Sequence, residues 1–159
     1  EVYNYIMLKR KIAVYIDGDA FPNRLKKILF TAIERLELST FVISNKRINI
    51  GESKNITYII VDAGADEADD RIVEMVQKGD LVITADIPLA DRIITKKAHA
   101  IDHRGGIFTE NNIKDYLAMR DLLQSLRDNG ETTKGPDPFS PKDANNFANQ
   151  LNIFFVKLG

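Results

Sequence analysis

The sequence predicts an α/β protein with a parallel sheet that is covered by helices on both faces. Short apolar runs rich in β-branched residues alternate along the chain with segments whose apolar residues recur at helical spacing. This alternation is typical of βαβ units, in which crossover helices join parallel strands. A length of 159 residues fits a single domain with a core of its own. We therefore expect one three-layer α/β/α domain over residues 11–159.

Five strands and five helices are expected along the chain. The strands are predicted by short apolar runs at residues 11–17, 40–44, 56–62, 80–84 and 98–102. The helices are predicted by apolar periodicity and by capping residues at residues 22–37, 66–78, 88–97, 109–128 and 140–156. The polar segments 45–55 and 129–138 are expected to be loops.

The N-terminal residues are expected to lie outside the domain. Met7 is a natural initiator, so residues 1–6 are interpreted as an upstream extension, and residues 1–10 as an extension that leads into the first strand. No signal-peptide pattern is visible, and no apolar run approaches the roughly 20 residues that span a bilayer. We expect a cytoplasmic protein with no membrane partner.

Charge is distributed unevenly along the chain. Residues 61–91 carry nine Asp or Glu and two Lys or Arg, a local charge of −7, whereas the whole chain has a net charge of −1. Most of these acids adjoin apolar runs, where a carboxylate is costly unless a positive partner neutralises it. The absence of cysteine excludes thiolate ligands, and two histidines leave little nitrogen for a zinc site. We therefore expect one or two Mg²⁺ or Mn²⁺ ions held by oxygen.

Aspartates follow three of the predicted strands. Asp17 and Asp19 come after the first strand, and Asp86 comes after the fourth. Because ligands bind outside the carboxyl ends of parallel strands, these three side chains are candidates for one metal site. An Asp in this position can also cap the next helix or form a turn, and that alternative applies most strongly to Asp62, after the third strand.

The predicted helix at residues 66–78 carries a carboxylate on its apolar face. At about 100° per residue, Asp69 falls within the arc of apolar side chains. Such a carboxylate is destabilising without a partner, so we expect Asp69 to bind the metal, with Asp70 as its companion. The remaining acids are open candidates (Asp62, Asp66, Asp91) or expected surface and turn residues (Glu67, Glu74, Asp80).

Cationic and polar residues suggest where a phosphate would bind. Arg104 lies in a turn beside two glycines, where backbone N–H groups could approach an anion. Arg120 falls on the apolar face of the helix at 109–128, and burial there would require a carboxylate or phosphate partner. His103 is either a general acid or base or a turn residue. The basic loop at 45–55 adds further candidates, namely Asn45, Lys46 and Arg47.

Five motifs occur in order along the chain. They are DGDAFP at 17–22, DAGADEADDRI at 62–72, GDLVITADIPLA at 79–90, DHRGGIFTENNI at 102–113 and LAMRDLL at 117–123. Together they resemble the YaiI/YqxD family of uncharacterised bacterial proteins, over residues 11–155. That family is regarded as PIN-like, which implies the sheet order 3-2-1-4-5 and a metal-dependent nuclease type of site. Family members usually have a cysteine where this chain has Phe21, so a cysteine there cannot be essential to the chemistry.

The resemblance implies both site residues and an activity. PIN-like nucleases place an Asp after the first strand, acids on the helix before the fourth strand, and an Asp in a T-x-D turn after it. Carried over to this chain, these residues are Asp17, Asp69, Asp70 and Asp86. We expect a metal-dependent nuclease that acts on single-stranded RNA.

Two alternatives to the nuclease remain open. The D-G-D sequence at residues 17–19 also resembles the nucleophile motif of haloacid-dehalogenase-like phosphatases, in which Asp17 would attack phosphate. A PIN-like domain could equally bind RNA or a nucleotide without catalysis, with its acids kept for structure.

Overall fold

The computed structural model describes residues 11–158, so the expected extension at residues 1–10 lies outside the described part of the chain. The strands are β1 (Val14–Asp17), β2 (Thr40–Ser44), β3 (Ile56–Ile60), β4 (Leu81–Ile83), β5 (His99–Ile101) and β6 (Ile107–Phe108). The helices are α1 (Asn23–Leu36), α2 (Glu67–Met75), α3 (Ile87–Thr95), α4 (Ile113–Asp128) and α5 (Pro141–Leu158).

The strands form one sheet in the order β3-β2-β1-β4-β5-β6. Neighbouring strands from β3 to β5 are parallel, and β6 pairs with β5 in the antiparallel sense. The expected order 3-2-1-4-5 is therefore confirmed for the parallel part. The expected number of strands is wrong by one, because β6 has only two residues and leaves too short a pattern to predict a strand.

Each face of the sheet buries its own apolar cluster. Along β1, Val14 and Ile16 face one cluster and Tyr15 faces the other, as the two-residue period of a strand requires. α1 and α5 cover the first face, and α2, α3 and α4 cover the second. β1 is therefore buried on both sides, which explains its almost uninterrupted apolar sequence.

The strand order reverses between β1 and β4. The chain leaves β1 into α1 on one face of the sheet and leaves β4 into α3 on the other face. Helices that diverge in this way leave a crevice at the carboxyl ends of the two strands, where open α/β sheets bind their ligands.

α4 is the helix that packs least closely against the sheet. Ile113 is its one fully buried residue, whereas Met119 and Leu122 are 56% and 53% exposed. The apolar face expected for this helix is therefore covered only near its first turn. Among the helices of residues 11–158, none is long and apolar enough to cross a membrane.

Candidate functional site

A buried aspartate closes β1 at the carboxyl edge of the sheet. Asp17 is 9% exposed, and its Oδ2 accepts a hydrogen bond from the Thr84 hydroxyl at 2.9 Å. Thr84 directly follows β4, and its Oγ1 also accepts the backbone N–H of Asp86 at 3.0 Å. One hydroxyl thus joins the ends of the two strands that flank the crevice.

Asp86 caps a helix and also lines the crevice. Its Oδ1 accepts the backbone N–H of Leu89 at 2.9 Å, which caps the N-terminus of α3. The same residue lines the crevice beside Asp17. Because the cap occupies one oxygen, the carboxylate is held in place while Oδ2 accepts no hydrogen bond from residues 11–158.

Asp69 reaches the crevice from the first turn of α2. Burial, followed by the charges of Asp86, Asp17 and Asp66, raises the pKa of its half-buried carboxyl to about 7, although the charge of Arg92 acts in the opposite sense. The apolar face of α2 therefore does carry an aspartate that lacks sufficient positive charge nearby. This position on the apolar face is the reason that the sequence predicts a metal ligand at Asp69.

The pKa of Asp17 is raised as well, to about 6. Burial is the largest cause; hydrogen bonds from Thr84 and from the backbone of Asp19 lower the pKa, and the charges of Asp19 and Asp86 raise it. Three carboxyls from β1, α2 and the cap of α3 thus repel one another at one edge of the sheet.

The crevice is a pocket of about 350 Å³. Its lining residues are Asp17, Asp19, Ala20, Gly64, Asp66, Ala68, Asp69, Ala85, Asp86 and His103. Five carboxylates and one imidazole face a common space, and no Lys or Arg is among these lining residues. Asp66, which the sequence left open, belongs to this pocket, whereas Asp62 and Asp91 do not line it.

His103 is the functional candidate that the sequence did not separate from a turn residue. The side chain is 8% exposed, and its ring packs edge-on against Phe21 with centroids 5.3 Å apart. Burial lowers the pKa of the imidazole, so the ring is neutral near pH 7. Its Nε2 is the one buried side-chain polar atom in residues 11–158 without a hydrogen-bond partner. Such an atom calls for an explanation in terms of function.

Asp70 lies away from the pocket. It is exposed and forms an ion pair with Arg92, with Nη1 and Oδ1 2.8 Å apart. Adjacent helical residues point about 100° apart, so Asp69 and Asp70 cannot both face one crevice. Asp70 instead lines a separate surface with Asp62 and Glu67. The structure therefore does not bring Asp70 together with the other predicted ligands.

Arg104 holds the C-terminal part of the chain in place. Its Nη1 pairs with Asp143 at 2.7 Å, and its Nη2 donates to the backbone carbonyl of Asp137 at 2.5 Å. The backbone N–H groups of Arg104 and Gly106 both donate to Asp102 Oδ1, so neither is left for an anion. These contacts correct the expectation that this turn binds phosphate.

The two glycines of the same turn serve packing. Gly105 has a φ of +86°, and a side chain there would meet the backbone of Asn146 in α5 at 2.7 Å. Gly105 therefore lets α5 approach this turn, whereas a side chain at Gly106 would meet the Asp102 carboxylate at 2.7 Å. These close approaches explain both glycines without a ligand.

Arg120 is exposed on α4, and its Nη1 lies 3.4 Å from Asp121. The expectation of burial is wrong, because the second half of α4 extends beyond the surface that covers its first turn. The reason for assigning Arg120 a buried phosphate or carboxylate partner is therefore removed.

The basic loop lies directly beside the acidic pocket. Asn45, Lys46 and Arg47 line a groove of about 490 Å³, to which α1 contributes Lys26. The groove shares Asp19 and Ala20 with the pocket. Asp19 also ties the two together, because its Oδ1 accepts the backbone N–H of Asn45 at 3.0 Å.

The donor set of the pocket suits a hard divalent cation. Within residues 11–158, no three His, Asp or Glu side chains stand close enough to form a ready-made metal centre. Mg²⁺ usually keeps several of its waters and binds through one or two carboxylates, so it does not require such a cluster. Carboxylates whose pKa values are raised by burial and mutual repulsion are groups that a cation would stabilise.

Comparison with known proteins places the sequence among relatives of nearly equal length. A family model described as "Uncharacterized BCR, YaiI/YqxD family" matches residues 15–157. A UPF0178 protein of Sulfurimonas denitrificans is 65% identical over 91% of this chain and 95% of that protein. Those of Sulfurovum sp. and Maridesulfovibrio salexigens are 64% and 46% identical, over 92% and 91% of this chain and 99% and 95% of theirs. None of these names states an activity.

One solved structure shows a distant likeness. The homospermidine synthase of Legionella pneumophila, in complex with NAD, is 12% identical, with a TM-score of 0.46 over 80% of this chain and 36% of that one. A likeness at this level carries no argument about fold or function.

Proposed function

The chain belongs to the YaiI/YqxD family, and from that premise and the chemistry of its acidic pocket we propose that it is a metal-dependent nuclease acting on single-stranded RNA. One observation carries the proposal: Asp17, Asp69 and Asp86 converge at the reversal point of the sheet with too little positive charge to neutralise them. Such an arrangement costs stability, and a bound cation would offset that cost. A cytoplasmic location is part of the proposal.

Asp17, Asp69 and Asp86 are the residues that would hold Mg²⁺ or Mn²⁺, with Asp19 beside them. When bound, the ion supplies Lewis-acid activation of water and of a phosphodiester. Thr84 fixes the Asp17 carboxylate through its hydroxyl, and the helix cap fixes Asp86. Both side chains are thus oriented before any ligand arrives, which reduces the entropy lost on binding.

His103 would supply a neutral base beside these carboxylates. Its ring is held by Phe21, and no group in residues 11–158 forms a hydrogen bond with its Nε2. An imidazole of this kind can take up a proton from water or from a ribose hydroxyl and release it again.

The groove formed by Lys26 and the loop residues Asn45, Lys46 and Arg47 would guide the RNA strand towards the pocket. Its cations lie beside the acids, so a polyanion could be held by its phosphates while one phosphodiester enters the crevice. A strand without a partner strand suits a groove of this size better than a duplex does.

The test compares matched aspartate substitutions. Mn²⁺ binding is measured by calorimetry, and cleavage of a fluorescent single-stranded RNA is measured with Mn²⁺ present. Asp17→Asn and Asp86→Asn should each weaken Mn²⁺ binding by more than the roughly tenfold typical of changes around a metal site, and should abolish cleavage. Asp70→Asn is the control, because the same chemical change is made on α2 outside the pocket.

The proposal fails if wild type binds no Mn²⁺ and cuts no RNA. It also fails if Asp17→Asn and Asp86→Asn cleave RNA as fast as Asp70→Asn does.

A phosphatase that uses Asp17 is the second candidate. It is favoured by the presence of Asp17 and Asp19, two residues apart, in one pocket. Against it, both oxygens of Asp17 already accept hydrogen bonds, from the Asp19 backbone and from the Thr84 hydroxyl. A beryllofluoride adduct on Asp17, detected by fluorine NMR, would favour the phosphatase.

A binding module without catalysis is the third candidate, favoured by the cationic groove beside the pocket. It requires RNA to bind equally well with and without a chelator. Fluorescence anisotropy under both conditions, in the absence of cleavage, would support it over the nuclease.

A further inference from the structure

A second groove with cationic walls lies on the other side of α1, between this helix and α5. It has a volume of about 410 Å³, and its charged lining residues are Arg24, Lys27 and Arg35. Among residues 11–158, no Asp or Glu lines it. The groove therefore offers a positive surface that differs from the one formed by the loop at residues 45–49.

The three cations form a stripe along α1. Positions 24, 27, 31 and 35 follow one another at intervals of three and four residues, so they lie on one face of the helix. Thr31 contributes a hydroxyl between the cations. At about 1.5 Å per residue, the stripe extends over roughly 16 Å, which is long enough to meet several phosphates of one strand.

The charges of this stripe are not used within the described part of the molecule. Arg24 and Lys27 have no ion-pair or hydrogen-bond partner in residues 11–158. Arg35 donates to the side-chain carbonyl of Asn152 at 2.8 Å, a neutral acceptor that orients the guanidinium without cancelling its charge. α1 carries four Lys or Arg and one Glu, so an anion has more to gain here than on an ordinary mixed helix surface.

The stripe is also close in sequence and space to the proposed active site. α1 begins six residues after Asp17, and its Lys26 lines the first cationic groove, which shares Asp19 with the acidic pocket. The first two turns of α1 therefore present cations to both grooves. A strand that leaves the pocket past Lys26 would next meet Arg24 and Lys27.

We propose that the groove between α1 and α5 binds the phosphate backbone of the RNA strand beyond the segment held in the acidic pocket. The inference rests on the proposed function and extends it, because it sets the length of strand that the protein recognises. Short strands would occupy only the pocket and the first groove, and longer strands would reach Arg24, Lys27 and Arg35.

The test measures RNA binding by anisotropy with Mn²⁺ present, using strands whose phosphate linkages resist hydrolysis, so that no cleavage occurs. Two single strands are compared, of about 4 and about 16 nucleotides, which bracket usual site sizes. The variant Arg24→Gln/Lys27→Gln should bind the long strand about tenfold more weakly than wild type. The slope of log affinity against log salt concentration should also become shallower, by roughly 0.7 for each lost phosphate contact. Its affinity for the short strand should not change.

Two controls accompany this variant. Lys114→Gln/Arg120→Gln on α4 removes the same charge from a distant surface and should bind the long strand as wild type does. Arg24→Lys/Lys27→Arg retains the charge and should retain affinity. The substituted side chains of α1 lie at an exposed surface, and circular dichroism verifies the fold of each variant.

The inference is overturned if the glutamine variant binds the long strand as wild type does, if the α4 control loses as much affinity, or if wild type fails to bind the long strand. Failure of the nuclease proposal has a different signature. In that case wild type binds the resistant long strand through Arg24 and Lys27 but does not cut an ordinary long strand in Mn²⁺.

Discussion

One aspartate is buried near the amino ends of the parallel strands, and another is buried at their carboxyl ends. The two side chains have opposite surroundings. Asp80 is 2% exposed at the edge where β4 begins, and Asp17 is 9% exposed at the edge where β1 ends. Both adjoin central strands. Burial alone therefore does not distinguish a structural carboxylate from a functional one.

Asp80 is satisfied by the backbone around it. Its Oδ1 accepts the N–H of Ala13 at 3.1 Å, and its Oδ2 accepts the N–H of Gln77 at 2.8 Å. These bonds join the chain before β1 to the turn after α2, which ends three residues earlier than the sequence predicts. The carboxylate thus stabilises the fold at this edge.

Asp17 instead faces other acids. It accepts the Thr84 hydroxyl at 2.9 Å and a longer bond, 3.4 Å, from the Asp19 backbone, but the charges of Asp19 and Asp86 oppose its ionisation. Repulsion from other acids therefore destabilises the Asp17 carboxylate, whereas backbone hydrogen bonds stabilise the Asp80 carboxylate. A site that must attract a cation is expected to show this difference.

The largest effect on stability is expected at Asp80. Asp80→Ala removes both acceptors and leaves two backbone N–H groups unpaired, so the free energy of unfolding should fall by about 3 kcal/mol. Urea denaturation measures the change. A loss below about 1 kcal/mol would mean that water replaces these bonds and that the comparison between the edges is wrong.

A smaller effect of opposite sign is expected at Asp17. In a chelator at pH 8, Asp17→Asn should raise the free energy of unfolding by about 2 kcal/mol, because the amide removes a buried negative charge at the loss of one charge-assisted hydrogen bond. The same denaturation experiment decides the sign. Destabilisation by the asparagine would show that the Asp17 carboxylate, like that of Asp80, is already satisfied.

Stability should also depend on pH through the acidic pocket. The pKa values of Asp17 and Asp69 are raised from 3.8 to about 6 and about 7, so the folded state binds protons more tightly than the unfolded state does. The stability that results is complete below pH 3.8 and is lost as pH rises through 6 to 7. The urea concentration at the denaturation midpoint, measured in a chelator, should therefore decrease as the pH rises from 5 to 8.

Added Mn²⁺ should restore the midpoint at pH 8, and Asp17→Asn should show a shallower fall with pH than wild type. Stability that is constant or increases between pH 5 and pH 8 in the chelator would contradict the assigned pKa shifts.

The smallest effect on stability is expected at His103. His103→Leu removes an imidazole whose Nε2 has no hydrogen-bond partner in the described residues, so the free energy of unfolding should change by less than about 1 kcal/mol. RNA cleavage should nevertheless slow by about 100-fold if the ring transfers a proton. Equal cleavage by the leucine variant and wild type would remove His103 from the proposed site and leave the acids.

Local patterns in the sequence predict much of the fold and most of the acidic residues that line the pocket. The two-residue period of the strands and the helical position of Asp69 survive in the structure, because each depends on neighbouring residues. The sheet order came from the ordered motifs of the family. The sequence does not predict β6, because a strand of two residues is too short to show an alternation of apolar and polar side chains. The same limit applies to other very short strands.

The predictions for Arg104 and Arg120 failed because distant segments of the chain decide the surroundings of both residues. Arg104 pairs with Asp143, some forty residues later, and no pattern near Arg104 shows that α5 returns to this turn. The helical spacing of α4 places Arg120 on its apolar face, which would be buried only if other elements covered that face along the whole helix. They do not, and Arg120 is exposed. His103 could not be separated from a turn residue, since its distinctive property is an unused buried atom that only packing reveals.

The most direct test of the acidic pocket is an anomalous difference map from crystals soaked in Mn²⁺. Asp62, which follows β3, lines a second acidic surface with Glu67 and Asp70 of α2, and this surface serves as an internal control. The proposed function predicts a peak inside the pocket, within ligand reach of one or two of the carboxylates of Asp17, Asp69 and Asp86. A map with no peak there, or with its peak at the Asp62–Asp70 surface, would contradict it.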